Sequence, residues 1–375
     1  MDRRGFLTSA VVTGAAGVML AACSENEQKQ EAKAPEAPAI NKGLKQLKMV
    51  TSWPKNFPGL GTAANRAAEL VGKLSEGTME VKVYASGELV PGLQVFDAVS
   101  AGNADIYHAA SYYWKGKSAG FNFFSTVPFG MTAPEMAAWI YYAGGQQLWD
   151  ELATDFNLKP FMCGNTGVQM GGWFSKEINT AEDFKGLKMR IPGLGGNVLE
   201  RMGATPVTLA GGDIFPSLQS GAIDATEWVG PWNDLAMGFY KVAKYYYNPG
   251  FHEPGTALEF TMNKKVYDGL SDHEKLVIDT ACKAANDLSY AEYNAFNSDA
   301  LDTLINEHGV QLSEFPEDVK KAFADNSRAV MDDVGKADPM TKKIYESFKA
   351  SLRKSSRWSS LAEESYMRMR TAHGA

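Results

Sequence analysis

The chain has 375 residues, 45% of them hydrophobic and 22% charged with both signs mixed, which is enough apolar material for two cores. A formal net charge of -7 offers no broad basic field to hold a phosphate backbone, so nucleic-acid binding is disfavoured and any anion site must be local. The five histidines, His108, His252, His273, His308 and His373, show neither an H-E-x-x-H pattern nor closely paired cysteines beside them, so a transition-metal enzyme finds no support.

In chain order, Arg3 and Arg4 precede an apolar run that continues to Ala22. The run is short for a bilayer span and has the order of a twin-arginine export signal over residues 1–22. It stops at Leu20-Ala21-Ala22-Cys23, which resembles the lipobox of bacterial lipoproteins, where the Cys thiol takes a diacylglycerol before cleavage. Ordinary cleavage near Ala22 beside an incidental cysteine is the alternative. Residues 24–42 are polar, rich in Glu, Gln, Ala and Pro, and free of aromatics, so they cannot bury enough surface to fold. Segment 23–43 therefore reads as a tether that begins at a lipidated Cys23. Cys163 and Cys282 remain, far apart in sequence, as either one disulfide or two buried thiols.

Strand patterns at 46–52 and 79–85 enclose a helical pattern at 62–74, with Ala63, Ala67, Leu70, Val71 and Leu74 at helical spacing. This is a βαβ unit. A helix at 91–101 and an apolar strand at 104–110 continue the alternation of a parallel-sheet α/β domain, whose ligands sit beyond the strand carboxyl ends. Tyr112, Tyr113 and Trp114 follow such an end, where they either pack in the core or face a cleft; a Tyr112 hydroxyl in a cleft could grip a small polar ligand.

Two motif matches fail on context. Gly59, Gly61 and Ala64 fit the dinucleotide fingerprint, but residues 53–58, with Pro54 and Pro58, separate them from the strand that should lead in directly. Gly116-Lys117-Ser118-Ala119-Gly120 fits the nucleophile elbow of serine hydrolases, but aromatic-rich loop sequence flanks it on both sides, and Ser118 reads as a solvated turn residue. A helical pattern at 134–152 follows, interrupted at Gly144-Gly145.

Residues 161–174 are apolar and glycine-studded, as in a strand segment that passes from one domain to the next, with Gln169 as the notable polar residue. Strands at 187–191, 206–209 and 223–228 then alternate with helices at 196–202 and 214–220, the second capped by Asp213. Arg190 and Glu227 thus lie near the carboxyl ends of strands in one sheet and aim at one crevice. The guanidinium fork matches a carboxylate ligand, although an ion pair within the protein, Glu227 being a candidate partner, would also satisfy it. The carboxylate of Glu227, the carbonyl of Trp228 and the amide of Gln169 would form an all-oxygen set suited to Na+ or Ca2+; a Gln169 satisfied by backbone is the alternative. A strand at 257–262 precedes a long helical pattern at 274–308, capped by Ser271, with the length of a spine bracing two lobes. The tail is helical again, broken around 337–339, with Ile344, Phe348, Leu352, Trp358 and Leu361 in a row that must pack on the chain itself or on another subunit.

With GELVPGLQ at 87–94, GNTGVQMGGWF at 164–174, GLKMR at 186–190 and GGDIFPSLQSGAIDATEWVGPW at 211–232, residues 44–375 resemble the substrate-binding subunits of TRAP (tripartite ATP-independent periplasmic) transporters, closest to the 2-oxoacid-binding branch. The resemblance implies an α/β, two-lobe periplasmic binding protein of the type II-like TRAP class, with hinge-crossing strands, a long spine helix, a C-terminal helix and no catalysis. The expected lobes are 44–167 with 256–295, and 168–255 with 296–375. On the matching positions, Arg190 would bind the ligand carboxylate. Gln169, Glu227 and Trp228 would hold a cation, Na+ ahead of Ca2+, that bridges carboxylate and 2-oxo group, and Tyr112 would offer its hydroxyl. The implied ligand is a small monocarboxylate such as pyruvate and the implied partners are TRAP membrane subunits, near which a lipid tether would hold the receptor in the periplasm. A homodimer through the apolar C-terminal helix is expected, as in some relatives. One departure is Phe251-His252, where the nearest relatives carry two tryptophans, which leaves pocket volume open. A lactate or other 2-hydroxyacid receptor using Ca2+ and, more remotely, a secreted hydrolase using Ser118 are the competing expectations.

Overall fold

The computed structural model describes residues 43–374, so the export signal at 1–22, Cys23 and the tether up to residue 42 lie outside the described residues. The chain enters through β1 (Lys45–Thr51), α1 (Leu60–Leu74) and β2 (Met79–Tyr84), the expected βαβ unit with its strands parallel. The buried face of α1 carries Ala63, Ala64, Ala67, Ala68 and Val71, small side chains that let the helix lie close to the sheet. Next come α2 (Val95–Ser100) and β3 (Ile106–Ala109), parallel to β1. The helical pattern at 134–152 is two helices, α3 (Ala133–Tyr142) and α4 (Gly145–Thr154), because Gly144 sits at φ 86° in the left-handed region between them.

After β4 (Leu158–Asn165) and β5 (Gly172–Phe174), the units β6 (Lys188–Arg190), α5 (Gly193–Arg201), β7 (Thr205–Val207), α6 (Gly211–Gln219) and β8 (Ala225–Thr226) follow the expected alternation. Asp213 falls inside the first turn of α6 and Ala210 takes the cap position, so the aspartate favours the helix through the dipole rather than as its N-cap. The last expected strand, 223–228, shortens to β8 because Glu227 and its successors turn away from the sheet. The chain continues through α7 (Pro231–Met237), β9 (Tyr245–Asn248), β10 (Ala257–Asn263), α8 (Lys264–Asp268), α9 (Asp272–Asn306), β11 (Gln311–Glu314), α10 (Glu317–Val334), α11 (Pro339–Ser359) and α12 (Ser365–His373).

The strands form two mixed sheets, sheet one in the order β2-β1-β3-β10-β4 and sheet two in the order β11-β9-β5-β8-β6-β7. The expected α/β class holds, with a correction: neither sheet is wholly parallel. β10 runs antiparallel to β3 and β4, and β5 antiparallel to β8 and β9, because these strands begin just after the chain has crossed between sheets, at 166–171 and 249–256.

Helix α9 begins with a capping box, the Ser271 hydroxyl accepting from the Glu274 amide at 3.3 Å while the Glu274 carboxylate accepts from the Ser271 amide at 2.7 Å. Its 35 residues run about 50 Å, along α1 and β4 of sheet one and α7 on the side of sheet two, which is the expected spine. The tail divides. Helix α10 packs on α5 beside sheet two, but α11 packs on α3 and α4 beside sheet one, with Phe348 5.2 Å from Trp139 and 5.3 Å from Phe123 between ring centres. Within 296–375, α10 thus lies beside sheet two and α11 beside sheet one. Ile344 and Phe348 are buried, whereas Trp358 and Leu361, expected in the same packed row, are 65% and 72% exposed. Among the described residues no helix is long and apolar enough to cross a membrane.

Candidate functional site

Strand β6 ends at Arg190, and its neighbour β8 ends one residue before Glu227, with Arg190 opposite Thr226 in the register. The Glu227 amide still donates to the Arg190 carbonyl at 3.2 Å, so both side chains leave the sheet at its carboxyl edge. The crossing segments 166–171 and 249–256 bring Gln169 and Glu253 to the same edge, and the turn after β3 brings Tyr112 and Tyr113 from sheet one. Tyr112, Tyr113, Gln169 and Trp228 share a small cavity of about 10 Å³ with Trp53, Leu60, Thr166, Val229, Thr256 and Leu258. The structure thus brings Arg190, Glu227, Trp228, Gln169 and Tyr112 together.

Arg190 is buried and pairs directly with Glu227, so the internal ion pair is realised. Its Nη1 donates to Glu227 Oε1 and, at 3.1 Å, to the Glu227 carbonyl, while Nε donates to the Leu209 carbonyl at 3.3 Å. Removing two charges from water costs several kcal/mol per ion, and these added bonds offset part of it. Burial works against the arginine's charge, but Glu227 together with the two tyrosines holds its pKa above the ordinary value. Among the described residues Nη2 has only a long bond, 3.5 Å to the Tyr113 hydroxyl, which leaves it able to donate to a ligand. The guanidinium also lies 5.1 Å from the Trp228 ring centre.

Gln169 is held by its nitrogen. Nε2 donates to Glu253 Oε2 at 2.7 Å and to the hydroxyls of Thr166 and Thr256, each at 3.1 Å. Its oxygen Oε1, equally buried, has no partner among the described residues. An unmet acceptor of this kind costs about 1–3 kcal/mol, so satisfaction of the side chain by backbone does not describe this residue. The Glu227 carbonyl accepts from Arg190 and Thr226, and the Val229 carbonyl from the Met170 amide. Between them, the Trp228 carbonyl accepts no hydrogen bond among the described residues.

Glu253 was not anticipated, and His252 was anticipated only as a departure bearing on pocket volume. Glu253 accepts from Gln169 and from Thr256, and His252 Nε2 lies 3.3 Å from Glu227 Oε2. Glu227, His252 and Glu253 each bring a donor atom to within 4.8 Å of the others. Burial pushes the Glu253 carboxyl up to about 7, and the charge of Glu227 adds to this. The available signal was the pair His252-Glu253 in an otherwise apolar, glycine-flanked stretch, of the same kind that drew attention to Glu227-Trp228. Tyr112 is buried, and its pKa is raised well above the ordinary value by burial and then by the Glu253 charge, so it offers a neutral hydroxyl.

Ser118 does not line this cavity. Its Oγ accepts from the Gly120 amide at 3.2 Å as the cap of the tight turn Ala119–Phe124, not as the nucleophile of a strand-to-helix elbow. Gly59 has a packing reason to lack a side chain, since a Cβ there would stand 2.3 Å from the Tyr293 hydroxyl.

Chemically, the crevice combines a guanidinium with spare donors, two carboxylates, an unpartnered amide oxygen and an unpartnered carbonyl. That set fits a hard cation bound beside an organic anion. Two α/β sheets joined by crossing segments, with a polar crevice at the carboxyl edge of their strands, define a two-lobed binding protein. The chain belongs to the bacterial extracellular solute-binding proteins of family 7, the DctP family of TRAP solute receptors, whose model matches residues 49–338. It is 38% identical over 369 residues, 98% of both chains, to the monocarboxylate 2-oxoacid-binding periplasmic protein of Nostoc sp.. Among solved structures, a TRAP periplasmic solute-binding protein from Pseudoalteromonas atlantica with bound sodium and pyruvate is 40% identical, with 86% of this chain and 98% of that one covered and a TM-score of 0.84. A TRAP solute-binding protein from Bordetella bronchiseptica, a mixed-occupancy dimer with copurified calcium and picolinate, is 37% identical, with 88% and 98% covered and a TM-score of 0.86.

Proposed function

We propose that this receptor captures a small 2-oxoacid such as pyruvate together with a cation by closing its two lobes, and delivers the acid to TRAP membrane subunits without chemical change. The Gln169 amide carries the reading. With its nitrogen locked by three acceptors, its buried oxygen is the donor left for a cation. Gln169, Glu227 and the Trp228 carbonyl hold the cation, with Glu253 beside them. Arg190 Nη2 and the Tyr112 hydroxyl receive the ligand's carboxylate. The sodium- and pyruvate-holding relative and the calcium-holding one both support a bound cation, and Na+ is the ion proposed here.

The lobes meet at the crossings near 167 and 256. Export by the twin-arginine signal, a lipid on Cys23 and a periplasmic location complete the proposal. A homodimer would cover Trp358, Leu361, Tyr366, Met367 and Met369, all exposed along the last two helices. The test is a thermal-shift matrix of 2-oxoacids and 2-hydroxyacids in Na+, K+ and Ca2+. A ligand at about 100 times its Kd adds roughly 2.7 kcal/mol, and no shift with any acid in any cation would overturn the proposal.

A second reading, a 2-hydroxyacid such as lactate with Ca2+, is favoured by Glu253. With Glu253 ionised, two carboxylates and a ligand anion against one guanidinium leave two negative charges, which a divalent ion balances. A lactate response that requires Ca2+ and is absent with pyruvate in Na+ would select it.

A further inference from the structure

Lys115 begins on the side of sheet one and ends on the side of sheet two. It follows directly on the turn Ser111–Trp114, which Trp114 fixes to sheet one: its indole Nε1 donates to Glu259 Oε1 of β10 at 2.7 Å, and its ring lies 5.2 Å from Phe96 and 5.6 Å from Tyr107. From this anchored base, Lys115 Nζ donates to the Gly193 carbonyl at 2.8 Å and to Asn197 Oδ1 at 3.1 Å. Both acceptors lie on α5, which starts three residues after Arg190. The two sides also touch there, because a Cβ placed on Gly193 would stand 3.4 Å from Tyr112 Cβ.

We propose that Lys115 is a latch of the closed receptor, a positioning residue that holds the start of α5, and with it the end of the Arg190 strand, against the first lobe and so sets the lifetime of the bound ligand. The proposal rests on the receptor reading above and adds to it the group that controls release.

Three features suit Lys115 to a bond that must break and re-form. Its acceptors are a neutral carbonyl and a neutral amide, so neither is left as a buried charge when the ammonium leaves. Two cavities, of about 640 Å³ and about 220 Å³, flank the contact, and Lys115, Asn197 and Glu200 line both, which gives water access to the separated groups. Burial lowers the lysine's pKa only against the opposing charge of Glu200, on the same helix it binds.

Other polar links in the region differ in kind. The Arg190 to Glu227 pair lies within sheet two and cannot close the lobes on each other. Asn233 Nδ2 donates to the Pro58 carbonyl at 3.1 Å, but Tyr293 of the spine helix braces it with a second bond at 3.1 Å. Arg190 reaches Tyr113 only at 3.5 Å. Among these three and Lys115, the Lys115 link is the short and unbraced one.

The experiment compares the wild-type mature protein with Lys115→Ala, Lys115→Arg and Asn197→Ala. Stopped-flow tryptophan fluorescence with sodium pyruvate separates association from dissociation, and small-angle scattering of the ligand-free proteins reports opening. Loss of two charge-assisted bonds is expected to raise the Lys115→Ala dissociation rate about 10-fold with association within about two-fold, and to enlarge the ligand-free radius of gyration. Asn197→Ala should raise dissociation less, and the double variant no more than Lys115→Ala alone. Lys115→Arg, which keeps the donors, should stay near wild type. A lysine with a merely structural role would lower the ligand-free melting temperature and leave the dissociation rate unmoved, and that result overturns the latch. If the wild type binds no pyruvate, the ligand assignment fails; the latch is then judged by scattering, where an unchanged radius in Lys115→Ala overturns it and an enlarged one supports it.

Discussion

Gln169 Nε2 donates to Glu253 Oε2 at 2.7 Å, and this one contact orients the crevice. Ionised, as it is above about pH 7 or beside a bound cation, the Glu253 carboxylate can only accept from the amide nitrogen, and so fixes which end of Gln169 is turned away. Glu253 therefore acts twice, once as a charge beside the proposed cation and once by presenting the Gln169 oxygen. Glu253→Gln removes the charge and lets the Gln169 amide reverse. Pyruvate affinity in Na+ should fall about 10-fold, and the advantage of Na+ over K+ should largely vanish, while the chain still folds. Calorimetry in the two salts decides it, and an unchanged Na+ preference would remove Glu253 from the cation's surroundings.

Arg190 and Glu227 are coupled in stability as well as in the proposed binding. Arg190→Met strips the guanidinium from a carboxylate that is fully buried, a change worth about 3–5 kcal/mol because the remaining charge is unpaired. Pairing it with Glu227→Gln should recover most of that stability but no ligand response. Urea unfolding checks the pair; if Arg190→Met alone loses less than about 1 kcal/mol, water or His252 replaces the guanidinium and the pair is not a structural unit.

The route from residues to this site was legible where periodicity carries it. Alternating strands and helices at 187–228 place Arg190 and Glu227 at one edge, because in a βα repeat the strand ends are set by the pattern itself. The contact between Gln169 and Glu253 was not legible, since it joins two aperiodic crossing segments 84 residues apart. Strand direction was hidden for a related reason: hydrophobic alternation is the same whichever way a strand runs, so the antiparallel β5 and β10 follow only from the crossings. The apolar row on α11 announced an amphipathic helix correctly. It carried no information on which sheet the helix would cover, and Trp139, whose indole donates to Ser347 at 3.1 Å, decides that.

Asp234 gives the fold a pH dependence with a definite sign. It accepts from the Trp173 indole at 2.9 Å, the Tyr246 hydroxyl at 2.7 Å and the Val229 amide at 3.2 Å. Burial outweighs these donors and pushes its carboxyl from 3.8 up to about 7, with a small addition from the charge of Glu227. The folded pKa lies above the unfolded one, so between the two the native state holds a proton that the unfolded chain does not. The stability from this group is present below about pH 4 and is lost as pH rises through about 7, by about 4 kcal/mol at the most. Asp234→Asn should flatten that part of the profile. Unfolding free energies at pH 5 and pH 8 test it, and parallel profiles for variant and wild type would show that Asp234 is ionised throughout.

The two cysteines of the folded region should be shielded from reagents in the native protein by burial. Cys163 on β4 and Cys282 on α9 are both free and buried, in one apolar cluster with Phe161, Phe260 and Ile278. The Cys282 thiol lies against that of Cys163: burial keeps Cys282 well above the ordinary range, whereas at Cys163 burial is outweighed by the hydrogen bonds of Cys282 and His108, which bring the thiol down to about 6. Cys163 is further held by its backbone: its carbonyl lies 3.2 Å from His108 Nε2, and His108 Nδ1 accepts from the Trp53 indole at 2.8 Å, which places the ring proton on Nε2. Trp53 lines the small cavity at the crevice, so the thiols sit behind one wall of the proposed site. An aromatic disulfide reagent should find almost no thiol in the folded protein and two after denaturation, with a native reaction rate that follows opening of the spine helix from β4 rather than thiolate content. Bound ligand should slow that reaction further if closure stiffens the wall. A mature protein 2 Da lighter than its reduced mass, with no thiol released on denaturation, would mean that the pair is a disulfide and that the free arrangement is not the one that persists after export.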